Sequence, residues 1–512
     1  MIKEPYEGPP TNITPEDCPL DEIINLGLSI NQNYNCSKIA IIDCSKEERT
    51  FTFEEISNLS NAVSLGLLNC GIKQGDRVAI LAKNCTEFLI TLYGIFRIGA
   101  VAVPLNYKMS TTDIKFMLDD SKSKLVFCDD STRHLLDDSV PIINFENDFK
   151  TFLINGDVVD VVHVDNIDDA LILYTGGTTG YPKGVVLSHA NHLWVITRHR
   201  YKDCMWGPKR ISLMSAPLYH MNGLSTMQGA ISSHSTLVLL SEFETVKYIK
   251  TIEKHRVNSL YAVTPMIAMI LNEKPLIDSA NLSTIRAVHM ASAPLSRKLL
   301  DTAKRYFPNA WITNSYGSTE AGPRIFGGHP DDIAIPELSV GCPIPEIPIR
   351  IVDGILQVKS PGMMVKYNNR PDLYEKFVTD DGYFITNDLF TVDEQGFYYF
   401  AGRADDMFKS GGNTVYPSKI EEILELNPKV MSACVLGIDD DIKGKKPYAF
   451  VIPNLDNVPT VEELKTYILD NCPAYMLPRE IWFVHSFPLT GPHKIDKKQL
   501  LALALTNLSK SA

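Results

Sequence analysis

From about residue 53 to residue 291, short apolar runs alternate with stretches of helical periodicity, and this alternation leaves few folds open. Phe53-Glu54-Glu55-Ile56 begins an amphipathic helical pattern whose apolar positions continue through Ala62, Leu65 and Leu68. Gly75-Asp76-Arg77 turns the chain into the run Val78–Ala82, and a helix from Glu87 leads to the run Ala100–Val103. The same alternation recurs at Lys124–Cys128, Arg210–Ser215, Thr236–Leu240, Ser259–Val263 and Ile285–Met290. Strands set between helices in this way imply an α/β fold of layered subdomains with largely parallel sheets. The longest apolar stretch, Phe88 to Leu105, is broken by Arg97, Gly99 and Pro104. It reads as a buried helix turning into a strand, and no transmembrane segment is expected.

After about residue 340 the pattern changes. Pro343, Pro345, Pro348, Pro361 and Gly362 punctuate short strands such as Ile349–Val352, then Gly382-Tyr-Phe-Ile and Gly396-Phe-Tyr-Tyr-Phe-Ala. This predicts a small, more antiparallel β subdomain. At Gly402-Arg403-Ala404-Asp405-Asp406 the last of these strands stops on charged residues, which places a domain boundary near 403–406. A compact α+β unit follows, with a helix Lys419–Leu426, strands Ser432–Ile438 and Tyr448–Pro453, and a helix Val461–Asn471. The expected division is a large N-terminal domain over 1–404 and a small C-terminal one over 405–512.

With 512 residues, about two to four folding units are expected. The net charge of −12 argues against a nucleic-acid partner, although a local basic site for an anion is compatible with it. The ten cysteines include no C-x-x-C pair, and the N-terminal segment has no apolar targeting core. Reduced thiols in a cytoplasm are the expectation, not a disulfide frame or a zinc site.

Residues 174–185 read Tyr-Thr-Gly-Gly-Thr-Thr-Gly-Tyr-Pro-Lys-Gly-Val, directly after the apolar run Ala170–Tyr174. A strand feeding a loop of glycines, hydroxyls and a lysine suits a polyphosphate. The glycines let backbone N–H groups approach and the lysine adds charge. The spacing lacks a Gly-Lys followed by Ser or Thr, so it is not a P-loop. A Gly-rich turn between two strands is the alternative reading of the same residues.

Further segments follow in order: Ala216-Pro-Leu-Tyr-His220, Ala293-Pro-Leu, Asn314-Ser-Tyr-Gly-Ser-Thr-Glu320, Thr386-Asn-Asp388-Leu, the stretch Gly402 to Glu421, and Pro492-His-Lys494-Ile-Asp. Together with the loop they resemble the adenylate-forming superfamily of acyl- and aryl-CoA ligases, luciferases and peptide-synthetase adenylation domains. The likeness spans residues of about 30 to 505. It implies an ATP- and magnesium-dependent acid–CoA ligase. A carboxylate first takes AMP and releases pyrophosphate, and the thiol of coenzyme A then displaces AMP. Such an in-line displacement depends on positioning and charge neutralisation.

By this resemblance, Thr175, Gly176, Gly177, Thr178, Thr179, Gly180 and Lys183 wrap the β- and γ-phosphates. Ala293, Asn314, Ser315, Tyr316 and Gly317 line the nucleotide site, and Asp388 and Arg403 hold the ribose hydroxyls. Thr319 donates to the α-phosphate and Glu320 is the magnesium ligand. Lys494, on a mobile small domain, neutralises charge in the adenylation step, and Asp405 is the hinge of that domain. Ser410, Gly411 and Gly412 line the pantetheine tunnel. Taken singly, Asp388 reads equally as a turn residue, Glu320 as a solvated helix-start carboxylate, Lys494 as part of a solvated basic end and Gly411-Gly412 as a hairpin turn. Two departures stand out: Gly176 occupies a place where relatives often carry serine, and Pro492-His493 replaces a more usual Ser-Gly or Asn-Gly.

His220, with Met221, sits where such ligases gate the acyl site. No acid follows in His220-Met221-Asn222-Gly223-Leu224 to pair with a substrate ammonium, which disfavours an amino acid. Ala291, Ser292 and Ser315 stand where glycine is frequent, which points to a narrowed tunnel and a short, medium or aromatic acid. Glu320-Ala-Gly-Pro323 is similar to aryl- and coumarate-type ligases. Lys443-Gly-Lys-Lys446 reads as a surface loop, either a solvated charge run or a contact for a CoA phosphate or an acidic carrier protein. Two alternatives accompany the ligase reading. One is an adenylating enzyme that loads an acyl carrier protein; the other is a nucleotide-binding protein without turnover.

Overall fold

Thr52 starts the first long helix, Phe53–Asn69, with a capping box: its hydroxyl accepts from the Glu55 N–H while the Glu55 carboxylate accepts from the Thr52 N–H at 2.7 Å. The next helix, Thr86–Arg97, crosses it at Gly94, where a Cβ would come within 2.5 Å of Val63 Cγ1. That glycine lets two backbones meet over the buried rows Ile56, Val63, Leu67 and Phe88, Leu92, Ile95. These contacts are seen in a computed structural model that describes residues 25–30, 36–159, 161–176, 181–201, 207–440, 443–454, 457–491 and 494–511.

Two seven-stranded sheets dominate. One runs in the order Trp311–Ser315, Ala287–Ala291, Ser259–Val263, Ile211–Met214, Thr236–Leu239, Ile39–Asp43 and Arg49–Thr52, parallel except for its last pair. The other is ordered Lys366–Tyr367, Lys183–Ser188, Asp169–Thr175, Val101–Pro104, Arg77–Leu81, Leu125–Cys128 and Ile142–Asn144. Its first two pairs are antiparallel and the rest parallel. Most of these strands lie within a residue or two of the apolar runs, because strands buried on both faces are apolar throughout. The Phe88–Leu105 stretch is the helix Thr86–Arg97 followed by the strand Val101–Pro104. Among the described residues no helix is long and apolar enough to cross a membrane.

The proline-punctuated segment forms a four-stranded antiparallel sheet, Ile349–Val352, Ile355–Val358, Phe384–Val392 and Tyr398–Arg403. Beyond it lies a separate unit with its own apolar core of Phe408, Ile420, Leu424, Val451, Leu464 and Ile468. There Asn413–Val415, Phe408–Ser410, Gly444–Pro453 and Val430–Asp440 form a sheet, and Ile481–Phe483 adds in parallel. The helices Pro417–Leu426 and Val461–Asn471 accompany it.

One expectation fails here. Lys443 lies in a turn, but Gly444, Lys445 and Lys446 are not a loop, because Gly444–Pro453 is a strand paired with Val430–Asp440. Lys446 Nζ meets Asp440 Oδ2 at 2.5 Å and Lys445 lies 3.6 Å from Asp439, so the cross-strand carboxylates take up this charge.

Candidate active site

The Gly/Thr loop joins the antiparallel strands Asp169–Thr175 and Lys183–Ser188, whose last cross-strand pair is Thr175 with Lys183. Gly177, Thr178, Thr179 and Gly180 lie outside the described residues. Gly176 is exposed, and a Cβ there would meet no atom of the described residues within 4 Å. The base of the loop is clamped. Tyr174 donates its hydroxyl to Asp120 Oδ2 at 2.6 Å, Asn368 Nδ2 donates to the same oxygen at 2.9 Å, and the Asn368 N–H reaches Gly184 O at 2.7 Å. Beyond the loop, Tyr181 stacks on Phe116 at 4.5 Å.

The strand Trp311–Ser315 delivers Asn314, Ser315 and Tyr316 at its C-terminal end, where ligand sites of parallel sheets gather. Asn314 Nδ2 is turned to Leu338 O at 3.2 Å. Tyr316 packs edge-on against Phe390 and donates its hydroxyl to Asp388 Oδ2 at 2.5 Å. Gly317 has no room for a side chain, since a Cβ would fall 2.2 Å from the Pro323 carbonyl carbon. That close approach folds Ser318–Gly322 into a turn that holds Thr319 buried and Glu320 half-buried. Enclosure raises the Glu320 carboxyl above its ordinary range, while Lys183, Lys494 and the Tyr367 hydroxyl, 3.4 Å from Oε1, oppose the rise. Asp388 sits opposite Arg403 in the antiparallel register, with Oδ1 3.3 Å from Nη1. Burial pushes its carboxyl up as well, against the pull of Arg403 and Tyr316.

Lys494 comes to this place from the far end of the chain. Its loop is closed by the Leu489–Ile495 bridge, by Thr490 N–H to Lys494 O at 2.7 Å and by Lys494 N–H to Thr490 Oγ1 at 3.2 Å. Lys494 is open to solvent at the cleft yet surrounded by protein atoms. This desolvation lowers its ammonium pKa, Asp388 and Glu320 raise it, and Arg403 lowers it further. Its neighbour in sequence, Lys497, is spoken for by Asp406 at 2.7 Å. Pro492 and His493 lie outside the described residues.

On the other side of the cleft, Asn84 grips Ala216-Pro-Leu, donating to Ala216 O and accepting from the Leu218 N–H, each at 2.9 Å. His220 is the N-cap of the helix Met221–Ser232, which begins with buried Met221. Burial, and then the Lys494 charge, hold the His220 imidazole neutral, down to about 3. Ala291 lies between Val263 and Ser315 in register. Ser292 adopts φ +66°, the left-handed region that favours glycine, and its Oγ accepts from Asn222 Nδ2 at 3.2 Å. The Ala293 carbonyl accepts from the Thr264 hydroxyl at 3.0 Å.

Thus Glu320, Asp388, Arg403 and His220 all lie within electrostatic reach of Lys494, and Lys183 within reach of Glu320. Ser410, Gly411 and Gly412, expected to swing in only when the small unit rotates, lie on that unit between the strands Phe408–Ser410 and Asn413–Val415. Gly411 and Gly412, at φ +54° and +86°, make a two-residue hairpin turn whose neighbour is Lys443. Asp405 lies in a single 3-10 turn, Ala404–Asp406, 3.4 Å from Arg403. Asn84, Asp120, Lys298 and Tyr367 escaped the sequence reading, since each meets a partner distant in the chain and none belongs to a motif. Tyr219 lay inside a motif without a role. Lys298 Nζ donates to Pro428 O at 3.1 Å and also to Val430 O, tying the two parts of the chain together.

The chain is similar to known proteins over most of its length. The profile of the AMP-binding enzyme family matches residues 29–367, and that of the AMP-binding enzyme C-terminal domain matches 419–494. A 2-succinylbenzoate–CoA ligase of Bacillus velezensis is 30% identical over 492 residues, covering 90% of this chain and 95% of the relative. 4-Coumarate–CoA ligase 1 of Solanum tuberosum is 26% identical over 512 residues, with 92% of each chain covered. Among solved structures, o-succinylbenzoate CoA synthetase from Bacillus subtilis with its acyl-adenylate superposes with a TM-score of 0.79 at 27% identity, covering 93% of this chain and 97% of the other. An anthranilate CoA ligase bound to anthranoyl-AMP shares the fold at a TM-score of 0.85 and 22% identity, covering 94% and 97%.

Proposed function

The chain belongs to the AMP-binding enzyme family, and from that premise we propose that it is an AMP-forming acid–CoA ligase acting on an aromatic carboxylic acid. A substrate carboxylate oxygen attacks the α-phosphorus of ATP and the bond to the β-phosphate breaks, giving acyl-adenylate and pyrophosphate. The thiol of coenzyme A then attacks the acyl carbonyl and AMP leaves.

The observation that supports this reading is the placement of Lys494, from the C-terminal unit, within electrostatic reach of Asp388, Arg403 and Glu320. An ammonium held there neutralises charge that grows on the α-phosphate and carboxylate during attack. Asp388, backed by Arg403 and Tyr316, offers a fixed acceptor for vicinal ribose hydroxyls. Lys183, at the end of the loop strand, supplies charge for the departing phosphates. His220 stays neutral, so it closes the acyl side without attracting the substrate carboxylate away from the α-phosphorus. Glu320 fits Mg2+, being a hard oxygen donor whose buried charge a divalent cation would offset. When bound there, that ion neutralises phosphate charge.

An aromatic acid is supported by the substrates named for the relatives, 4-coumarate and 2-succinylbenzoate, and by the Ser292–Asn222 contact, which occupies space that a glycine would leave free. A cytoplasmic location accords with ten cysteines lacking any C-x-x-C spacing.

The test is AMP and pyrophosphate release from ATP, Mg2+ and a panel of benzoate, coumarate, succinylbenzoate and fatty acids of graded length, with and without CoA. CoA-dependent AMP formation, strongest with an aromatic acid, is the expected result. Preference for a long-chain acid would overturn the substrate class. Transfer to a carrier-protein phosphopantetheine but not to CoA would overturn the acceptor.

A further inference from the structure

Away from the cleft, three side chains of metal-ligating type converge at the edge of the first seven-stranded sheet. Cys44 follows the strand Ile39–Asp43, with its N–H on Leu239 O at 2.8 Å and its carbonyl accepting from Lys247 Nζ at 2.7 Å. Glu48 lies in the tight connection to the strand Arg49–Thr52. His255 is the C-cap of the helix Thr245–Lys254, its N–H bonded back to Thr251 O. Backbone hydrogen bonds therefore fix Cys44 and His255 before any ion arrives. Their side chains meet as a triangle: Cys44 Sγ to His255 Nε2 is 3.7 Å, Cys44 Sγ to Glu48 Oε2 is 3.8 Å, and His255 Nε2 to Glu48 Oε2 is 3.2 Å.

Those edges have the lengths of a tetrahedral zinc site. With Zn–S of about 2.3 Å and Zn–N and Zn–O of about 2.0–2.2 Å, tetrahedral angles put S to N and S to O near 3.6 Å and N to O near 3.3 Å. Sulfur, imidazole and one carboxylate form a donor set for a thiophilic ion and a poor one for Mg2+. Among the described residues this is the one group of three such ligands close enough to share an ion. We propose that Cys44, Glu48 and His255 bind a thiophilic divalent cation of the zinc type, with water as the fourth ligand on the exposed Glu48 side.

Binding releases the Cys44 thiol proton to solvent and forms the metal–sulfur bond. The competitor on the protein is Lys254, whose ammonium lies 2.6 Å from Glu48 Oε2. Its side chain is exposed, so it turns to water at little cost, as surface ion pairs contribute little. The ion then staples the hairpin after Asp43 to the end of the helix Thr245–Lys254.

The test titrates Co2+, and then Zn2+, into the full-length protein stripped of metal by a chelator. Wild type should develop a near-ultraviolet thiolate-to-cobalt charge-transfer band with tetrahedral visible bands, all removed by Zn2+ and unaffected by millimolar Mg2+. Cys44→Ser should lose the charge-transfer band while keeping AMP formation. Glu48→Gln, at an exposed position that does not threaten folding, should weaken Co2+ binding at least about tenfold, since even outer-shell changes cost about 10–100-fold. Absence of the band in wild type, or an undiminished band in Cys44→Ser, would overturn the site. Because AMP formation is read separately, loss of the ligase assignment and loss of the metal site are distinguishable.

Discussion

Gly491 lies against Tyr219: a Cβ built on Gly491 would come 2.8 Å from the tyrosine hydroxyl and 2.9 Å from Asn106 Nδ2. The loop that carries Lys494 therefore seats on the large part of the chain through a position without a side chain. Gly491→Val should unseat it. Overpacking of this kind costs about 1–3 kcal/mol, which corresponds to a fall of roughly 5- to 150-fold in adenylation rate. Thiolation of a supplied acyl-adenylate should change less than about twofold, and Tyr219→Phe in the same chain should recover part of the loss. Equal damage to both half-reactions would show that the contact is not specific to adenylation.

Lys494→Ala removes the ammonium whose charge acts on Asp388 and Glu320. Loss of one donor aimed at developing charge typically costs about 10²–10³ in rate. Pyrophosphate release should fall by that order while thiolation of pre-formed acyl-adenylate persists. A uniform loss in both steps would refute the role assigned to it.

Lys298 crosses between the two parts of the chain to carbonyls at Pro428 and Val430. Lys298→Met keeps the aliphatic stem and deletes both bonds. With charged hydrogen bonds at about 1.5–3 kcal/mol, adenylation should slow by more than about tenfold, with thiolation spared. Unchanged partition between the half-reactions would mean the bond does not select this arrangement.

Ser292 sets two terms of similar size against each other. A left-handed conformation costs an L-residue about 1–2 kcal/mol, and the Asn222 hydrogen bond returns about 0.5–1.5 kcal/mol. Ser292→Gly should therefore leave the urea midpoint nearly unchanged while widening the pocket. The acid panel should shift toward longer substrates; a stable variant with unaltered preference would remove Ser292 from the acyl site.

Acid should weaken the fold through buried neutral histidines. Burial lowers His189 and His192 to about 4 from 6.5, so between those values the unfolded chain binds more protons than the folded one. Stability is then complete above about pH 6.5 and falls on acidification, by up to about 1.4 kcal/mol per pH unit for each group. Replacing His192, the partner of Gln228, by glutamine should flatten urea-midpoint loss between pH 6.5 and 4. An unchanged slope would mean that this histidine is protonated in the native state.

The strands were legible because burial on both faces leaves a local apolar signature, as at Ser259–Val263 and Ile349–Val352. The part Gly444–Lys446 misled because lysines resemble a loop until the aspartates across the ladder are known. Ser410–Gly412 shows how little a short motif specifies, since the two glycines that form a hairpin turn here are equally suited to line a passage once the small unit rotates.

By itself the sequence determined the α/β alternation and the ordered motifs, because periodicity, glycine loops and charged turns are properties of neighbouring residues. Only the tertiary structure decided which of them meet. Asp120 clamps Tyr174 and Asn368 across 248 residues, Tyr367 reaches Glu320, and Gly491 admits the Lys494 loop to a cleft built from strands far earlier in the chain. Cys44 and His255 converge across 211 residues for the same reason. Such distances depend on sheet order and close packing, which no local pattern encodes.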